Sequence, residues 1–216
     1  MPDFQSTLIT LTHPRSAAAE AYRALRANLT LASLERPIHT LTVAAVTTGE
    51  DTSVLLANLG VVTAQAGQRM ILIDADLRHP SLHERFGAPN ERGLTTVLEG
   101  QDALSAPPLV AVENVDGLHL LTSGPQPLDA AAHIGSRRME EVIAALQKRA
   151  ELVLLSAPPV LDATDAALLG LKTDGVLLIV QAKHTGCAQV QRAKELLEKA
   201  RVRIVGVALT HATADR

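Results

Sequence analysis

Aromatic residues are nearly missing from these 216 residues: there is no Trp, one Tyr (Tyr22) and two Phe (Phe4 and Phe86). With 47% of residues apolar, the interior is necessarily aliphatic. A Val/Ile/Leu/Ala core suits parallel strands buried on both faces. Cys187 is the only cysteine, which excludes an intrachain disulfide framework and a cysteine-built zinc site. There is no long Lys/Arg run, and the net charge is -3, so no nucleic-acid partner is expected. The opening residues, MPDFQSTLITLTHPR, lack the basic start and continuous apolar stretch of a secretion signal. No apolar run reaches the roughly 20 residues of a membrane span; residues 54–66 come nearest, interrupted by Asn58 and Gln65. The composition predicts a cytoplasmic protein of a reducing compartment.

What is present alternates. Residues 1–15 read as an extended N-terminal arm, and 16–216 as one domain. A helix is predicted from an N-cap at Ser16 to about residue 34, closed by Pro37. Apolar runs of strand length follow at 40–46, 69–75, 118–122, 152–156, 175–182 and 203–210. Helical periodicity separates most of them, at 53–66, 136–150, 165–171 and 188–200. Such alternation predicts βαβ units in a doubly wound, mostly parallel sheet with helices on both faces. Residues 79–116, rich in Pro, Gly and short helical pieces, read as an insertion over the sheet. Ligands of such sheets bind beyond the carboxyl ends of the strands, where TTGEDTS, DADLRHP and SAPPVLDATDA stand here.

Taken together, these segments resemble the bacterial tyrosine kinases of capsule and exopolysaccharide synthesis, a branch of the P-loop ATPases. The resemblance covers nearly the whole chain. It begins with Glu20, Arg23 and Arg26 at the E-x-x-R-x-x-R spacing and continues through Asn58-Leu59-Gly60 and ILIDADLRHP. NERGLTTVLEG and LLSAPPVLDATDA complete it. The resemblance implies a P-loop NTPase fold. It also implies that Glu20, Arg23 and Arg26 mediate subunit contacts in a homo-oligomer.

The same resemblance shows what has been lost. A P-loop wraps backbone N–H groups around phosphates at a helix N-terminus, with a Lys reaching the β- and γ-phosphates. Where the family reads roughly P-G-E-G-K-S, this chain has Thr48-Gly49-Glu50-Asp51-Thr52-Ser53. Thr52 stands at the lysine position and Asp51 at the preceding glycine; only Ser53 remains as a metal-side hydroxyl. The D-x-D-x-R motif is complete as Asp74, Asp76 and Arg78, in the place where relatives serve the metal and the attacking hydroxyl. The D-x-P-P motif has become Ser156-Ala157-Pro158-Pro159. A carboxylate about 4 Å from a phosphate oxygen costs on the order of 4 kcal/mol at an effective dielectric near 20. The missing lysine removes roughly 1.5–3 kcal/mol more. Nucleotide affinity should fall by about three orders of magnitude.

These losses imply a catalytically defective relative acting as a scaffold or regulatory subunit, with no cofactor expected. As an N-cap, Asp51 is expected to stand where a phosphate would, ordering the loop without nucleotide. The family implies a partner too: the cytoplasmic tail of a membrane polysaccharide co-polymerase-type protein, which would hold the chain at the inner face of the membrane. An active kinase paralogue is a further implied partner. The alternative is an active tyrosine autokinase using Mg-ATP, with Asp74, Asp76 and Ser53 holding Mg²⁺ and other basic groups replacing the lysine. Against it, the chain ends HATADR rather than in a tyrosine-rich tail. A positioning-type ATPase is the weaker alternative, lacking the extra lysine that those proteins carry near 45–47. His79 and His83 are separated by Pro80 and have no matching carboxylates, so they predict no metal site.

Overall fold

The structure, a computed structural model, describes residues 8–49 and 51–212. In chain order the elements are α1 (Ile9–Thr12), α2 (Ala17–Glu35), β1 (Thr40–Ala45), α3 (Thr52–Gln65), β2 (Met70–Ile73), α4 (Leu82–Phe86) and α5 (Leu94–Leu98). Then come β3 (Val110–Ala111), β4 (Leu118–Leu121), α6 (Ala130–Gly135), α7 (Arg137–Gln147) and β5 (Leu152–Ala157). The chain continues through α8 (Asp165–Lys172), β6 (Val176–Gln181), α9 (Cys187–Lys199) and β7 (Ile204–Thr210). The strands form one sheet in the order β3-β4-β2-β5-β1-β6-β7. All neighbours are parallel except the β3–β4 pair.

The aliphatic alternation of the strands builds two cores, one on each face. On β1, Leu41, Val43 and Ala45 face the layer made by α2 and α3. Ala44 and the following Val46 face the opposite layer, to which α5 through α9 contribute. Every residue of β1 is buried, as a central parallel strand demands. The sheet order makes β2, β5 and β1 adjacent, so the three motif-bearing strand ends lie side by side.

Local signals set several boundaries. Ser16 caps α2 as predicted, its Oγ accepting the Ala19 amide at 3.1 Å. α3 is buried along almost its whole length. Its Gly60 permits the close approach to the sheet, since a Cβ there would sit 2.8 Å from Leu72 Cδ1.

The N-terminal arm differs from expectation. Residues 1–7 lie outside the described part, but Ile9–Thr12 form a helical turn rather than an extended arm. The reason is tertiary: Leu8 and Thr10 are buried. Asn58 Oδ1 on α3 accepts both the Thr10 amide (3.1 Å) and the Thr10 hydroxyl (2.9 Å). Residues 79–116 carry the short helices α4, packed with the α3 side of the core, and α5, packed in the opposite layer, with the two-residue β3 added at the sheet's edge.

Candidate functional site

The loop after β1 turns at Gly49, whose φ of 93° is one that a glycine adopts without strain. Glu50 lies outside the described residues. Asp51 then caps α3, its Oδ1 accepting the Val54 amide at 3.0 Å and the Ser53 hydroxyl at 2.7 Å. Thr52, at the lysine position, lines a cavity of about 410 Å³ beside it. A residue that sequence reasoning missed completes this cluster. Arg85, on α4, donates from Nη2 to Asp51 Oδ2 at 2.8 Å and from Nε to Ser53 Oγ at 2.9 Å. The Ser53 hydroxyl, expected on the metal side, is therefore held between Asp51 and Arg85.

Asp74, at the end of β2, is buried and accepts from three donors. Its Oδ2 takes the amides of Ser81 (3.0 Å) and Leu82 (2.8 Å), which caps α4 from outside, and its Oδ1 takes the Ser156 hydroxyl at 2.8 Å. Burial pushes its pKa up to about 6, against the opposing pull of the Leu82 amide and the Ser156 hydroxyl. Ser156 also accepts the amides of Ala75 (3.1 Å) and Asp76 (3.4 Å), binding the ends of β5 and β2 together. Asp76 turns its Oδ1 to the amides of Arg78 (3.1 Å) and His79 (2.9 Å). Arg78 reaches Asp165 at the start of α8 through a two-pronged pair, Nε–Oδ2 at 2.8 Å and Nη2–Oδ1 at 3.1 Å. That hydrogen-bonded carboxylate raises the Arg78 pKa.

The predicted residues of all three strand ends thus share one cavity: Gly49, Asp51, Thr52, Ser53, Asp74, Asp76 and Ser156 line it. Glu20, Arg23 and Arg26 do not join them. Arg23 pairs with Glu20 at 2.8 Å and donates to the Pro14 carbonyl at 2.6 Å. Arg26 turns instead to a second cavity of about 170 Å³, where its Nε is buried without a hydrogen-bond partner. Tyr22, between these residues, packs against the α3 side of the core; burial, and then the charge of Asp51, raise its pKa.

Several of the oxygens expected on the metal side are engaged within the protein. Each Asp74 oxygen is occupied by N–H or O–H donors, the Ser53 hydroxyl is engaged, and position 156 offers a neutral oxygen. Among the described residues, no group of three or more His, Cys, Asp or Glu side chains is placed to hold a metal ion. Nor is any helix among them long and apolar enough to cross a membrane.

Tyrosine-protein kinase YwqD of Bacillus subtilis (strain 168) is 35% identical over 202 residues, covering 94% of this chain and 84% of that protein. Among solved structures, the chimerical protein CapA2B2 superimposes with a TM-score of 0.89 at 30% identity, over 94% of this chain and 89% of the other. The septum site-determining protein MinD of Pyrococcus horikoshii OT3, solved with Mg-ADP, shares the fold at 20% identity and a TM-score of 0.67, over 79% and 69% of the two chains. No protein-family model matches the chain.

Proposed function

The chain belongs to the bacterial tyrosine-protein kinase family, and from that premise we propose that it is a catalytically defective member. Its role is that of a scaffold or regulatory subunit in capsule or exopolysaccharide assembly. The observation that carries this reading is the Asp51 carboxylate: it sits at the N-terminus of α3, bound by the Val54 amide, the Ser53 hydroxyl and Arg85. In a working P-loop that ground belongs to phosphate oxygens and a lysine. Phosphoryl transfer relies almost wholly on electrostatic stabilisation there, so an added carboxylate opposes both nucleotide binding and catalysis.

The assembly follows the family. The partner is the cytoplasmic tail of a membrane co-polymerase-type protein, which holds the chain at the inner face of the membrane; the fit to a chimerical CapA2B2 protein supports a two-part arrangement. An active paralogue is a second partner, and contacts through Glu20, Arg23 and Arg26 give a homo-oligomer. An Arg23→Ala, Arg26→Ala variant should then lose solution mass, and an unchanged mass would remove that contact.

A second reading is favoured by one observation, the guanidinium of Arg85 over the loop. In it the chain is a tyrosine autokinase in which Arg85 replaces the lysine. Calorimetric titration with Mg-ATP and Mg-ADP, paired with phosphate transfer to a tyrosine peptide, separates the two. The scaffold reading expects neither tight binding nor transfer; a tight Mg-ATP complex with transfer would establish the kinase instead.

A further inference from the structure

The phosphate loop is closed by the protein's own side chains. Asp51 and Arg85 are 34 positions apart in sequence, and α4 brings them together. Asp74 fixes the start of that helix by accepting the Ser81 and Leu82 amides. Three residues further on, Arg85 reaches back over the loop. Its Nη2 meets Asp51 Oδ2 at 2.8 Å, its Nε meets Ser53 Oγ at 2.9 Å, and Ser53 donates to Asp51 Oδ1 at 2.7 Å. With the Val54 amide, the carboxylate gathers a helix-terminal N–H, a hydroxyl and a guanidinium. A helix-terminal N–H and a side-chain cation are also what a phosphate meets at a P-loop, where the cation is a lysine.

We propose that the Asp51–Arg85 pair is an autoinhibitory clasp: Asp51 fills the cradle from within and consumes the cation that would otherwise receive a phosphate. The proposal rests on the reading of this loop as the family's phosphate cradle, and it adds Arg85 as the cradle's cation. The clasp is of a kind that opens without unfolding the sheet behind it. Asp51 is 45% exposed while Arg85 is 19% exposed, so water and salt screen the pair. Once released, the guanidinium presents a planar fork suited to two oxygens of one anion.

The test separates the carboxylate's charge from its capping role. Asp51→Asn keeps an oxygen for the Val54 amide and removes the charge; Asp51→Ser is a second neutral cap should the first variant fold poorly. Wild type, each neutral variant, and each neutral variant combined with Arg85→Met are titrated with inorganic phosphate, following thermal unfolding. A neutral cap should bind phosphate about tenfold or more tighter than wild type, and Arg85→Met should abolish the gain. A neutral variant no tighter than wild type overturns the clasp, as does a gain that survives loss of Arg85. Tyrosine phosphorylation by the wild type would defeat the scaffold reading on its own; the phosphate titration decides the clasp either way.

Discussion

Ser156 donates a hydrogen bond from its hydroxyl to Asp74 Oδ1 across 2.8 Å, both residues buried at the ends of β5 and β2. The family pattern would set a second carboxylate at position 156. With serine there, the buried site carries a single ionisable oxygen pair, and its proton donor ties β5 to β2. These hydrogen bonds make a structural joint between the two strand ends.

That joint has a pH signature. Burial raises the Asp74 pKa from 3.8 to about 6, which corresponds to roughly 3 kcal/mol between its protonation states. The folded state holds the proton more tightly than the unfolded chain does. The contribution is therefore fully present below about pH 4 and is lost as pH rises through about 6. In Asp74→Asn the titration is gone, while an amide oxygen still faces the Ser81 and Leu82 amides. Urea unfolding should show wild type losing stability relative to Asp74→Asn by up to roughly 3 kcal/mol between pH 4 and 7. A difference that does not change with pH would refute the assignment to Asp74.

Restoring the second carboxylate should be costly. Ser156→Asp places a like charge beside Asp74 in a buried site, so at neutral pH one of the two must take up a proton. At an effective dielectric near 20, repulsion across about 4 Å is on the order of 4 kcal/mol. The variant should melt well below wild type at neutral pH, and the deficit should narrow on acidification. Equal melting temperatures at pH 7 would contradict the burial argued here.

How far the sequence discloses this arrangement depends on the range of each interaction. Leu41, Val43 and Ala45 against Ala44 and Val46 announce a strand buried on both faces, because alternation is a local property. The caps at Ser16 and Asp51 are legible for the same reason: each side chain bonds an amide three residues on. Arg85 is not legible, since its partner is 34 residues away and the path depends on Asp74 capping a five-residue helix. The turn at Ile9–Thr12 is hidden likewise, for it is held by Asn58, 48 residues downstream of Thr10. Asp165 stands in the sequence only as one more acidic residue of a motif, with nothing local to mark Arg78 as its partner.

Tyr22 offers a built-in reporter of the phosphate loop. As the only tyrosine in a chain without tryptophan, its phenolate absorbance is unambiguous. Its pKa stands above 10.0, first through burial and then through the charge of Asp51. Asp51→Asn should lower the Tyr22 midpoint while leaving it above 10.0, because burial persists. Arg85→Met should raise it further by leaving the Asp51 charge uncompensated. Spectrophotometric titration in which neither variant moves the midpoint would disconnect Tyr22 from the loop.

The Arg78–Asp165 pair should be the most damaging of these links to break from one side. Asp165 is fully buried and opens α8, whereas the Arg78 side chain is 40% exposed. Arg78→Met leaves a carboxylate in the interior with its cationic partner gone. The cost is expected at about 3 kcal/mol, the low end for breaking a buried pair, because water can still approach from the arginine side. Adding Asp165→Asn removes the stranded charge and should recover a good part of the loss, a coupling that a double-mutant cycle reads directly. Additive losses in that cycle would mean that the two-pronged contact carries no coupling energy, and that Asp165 is held by the α8 N-terminus alone.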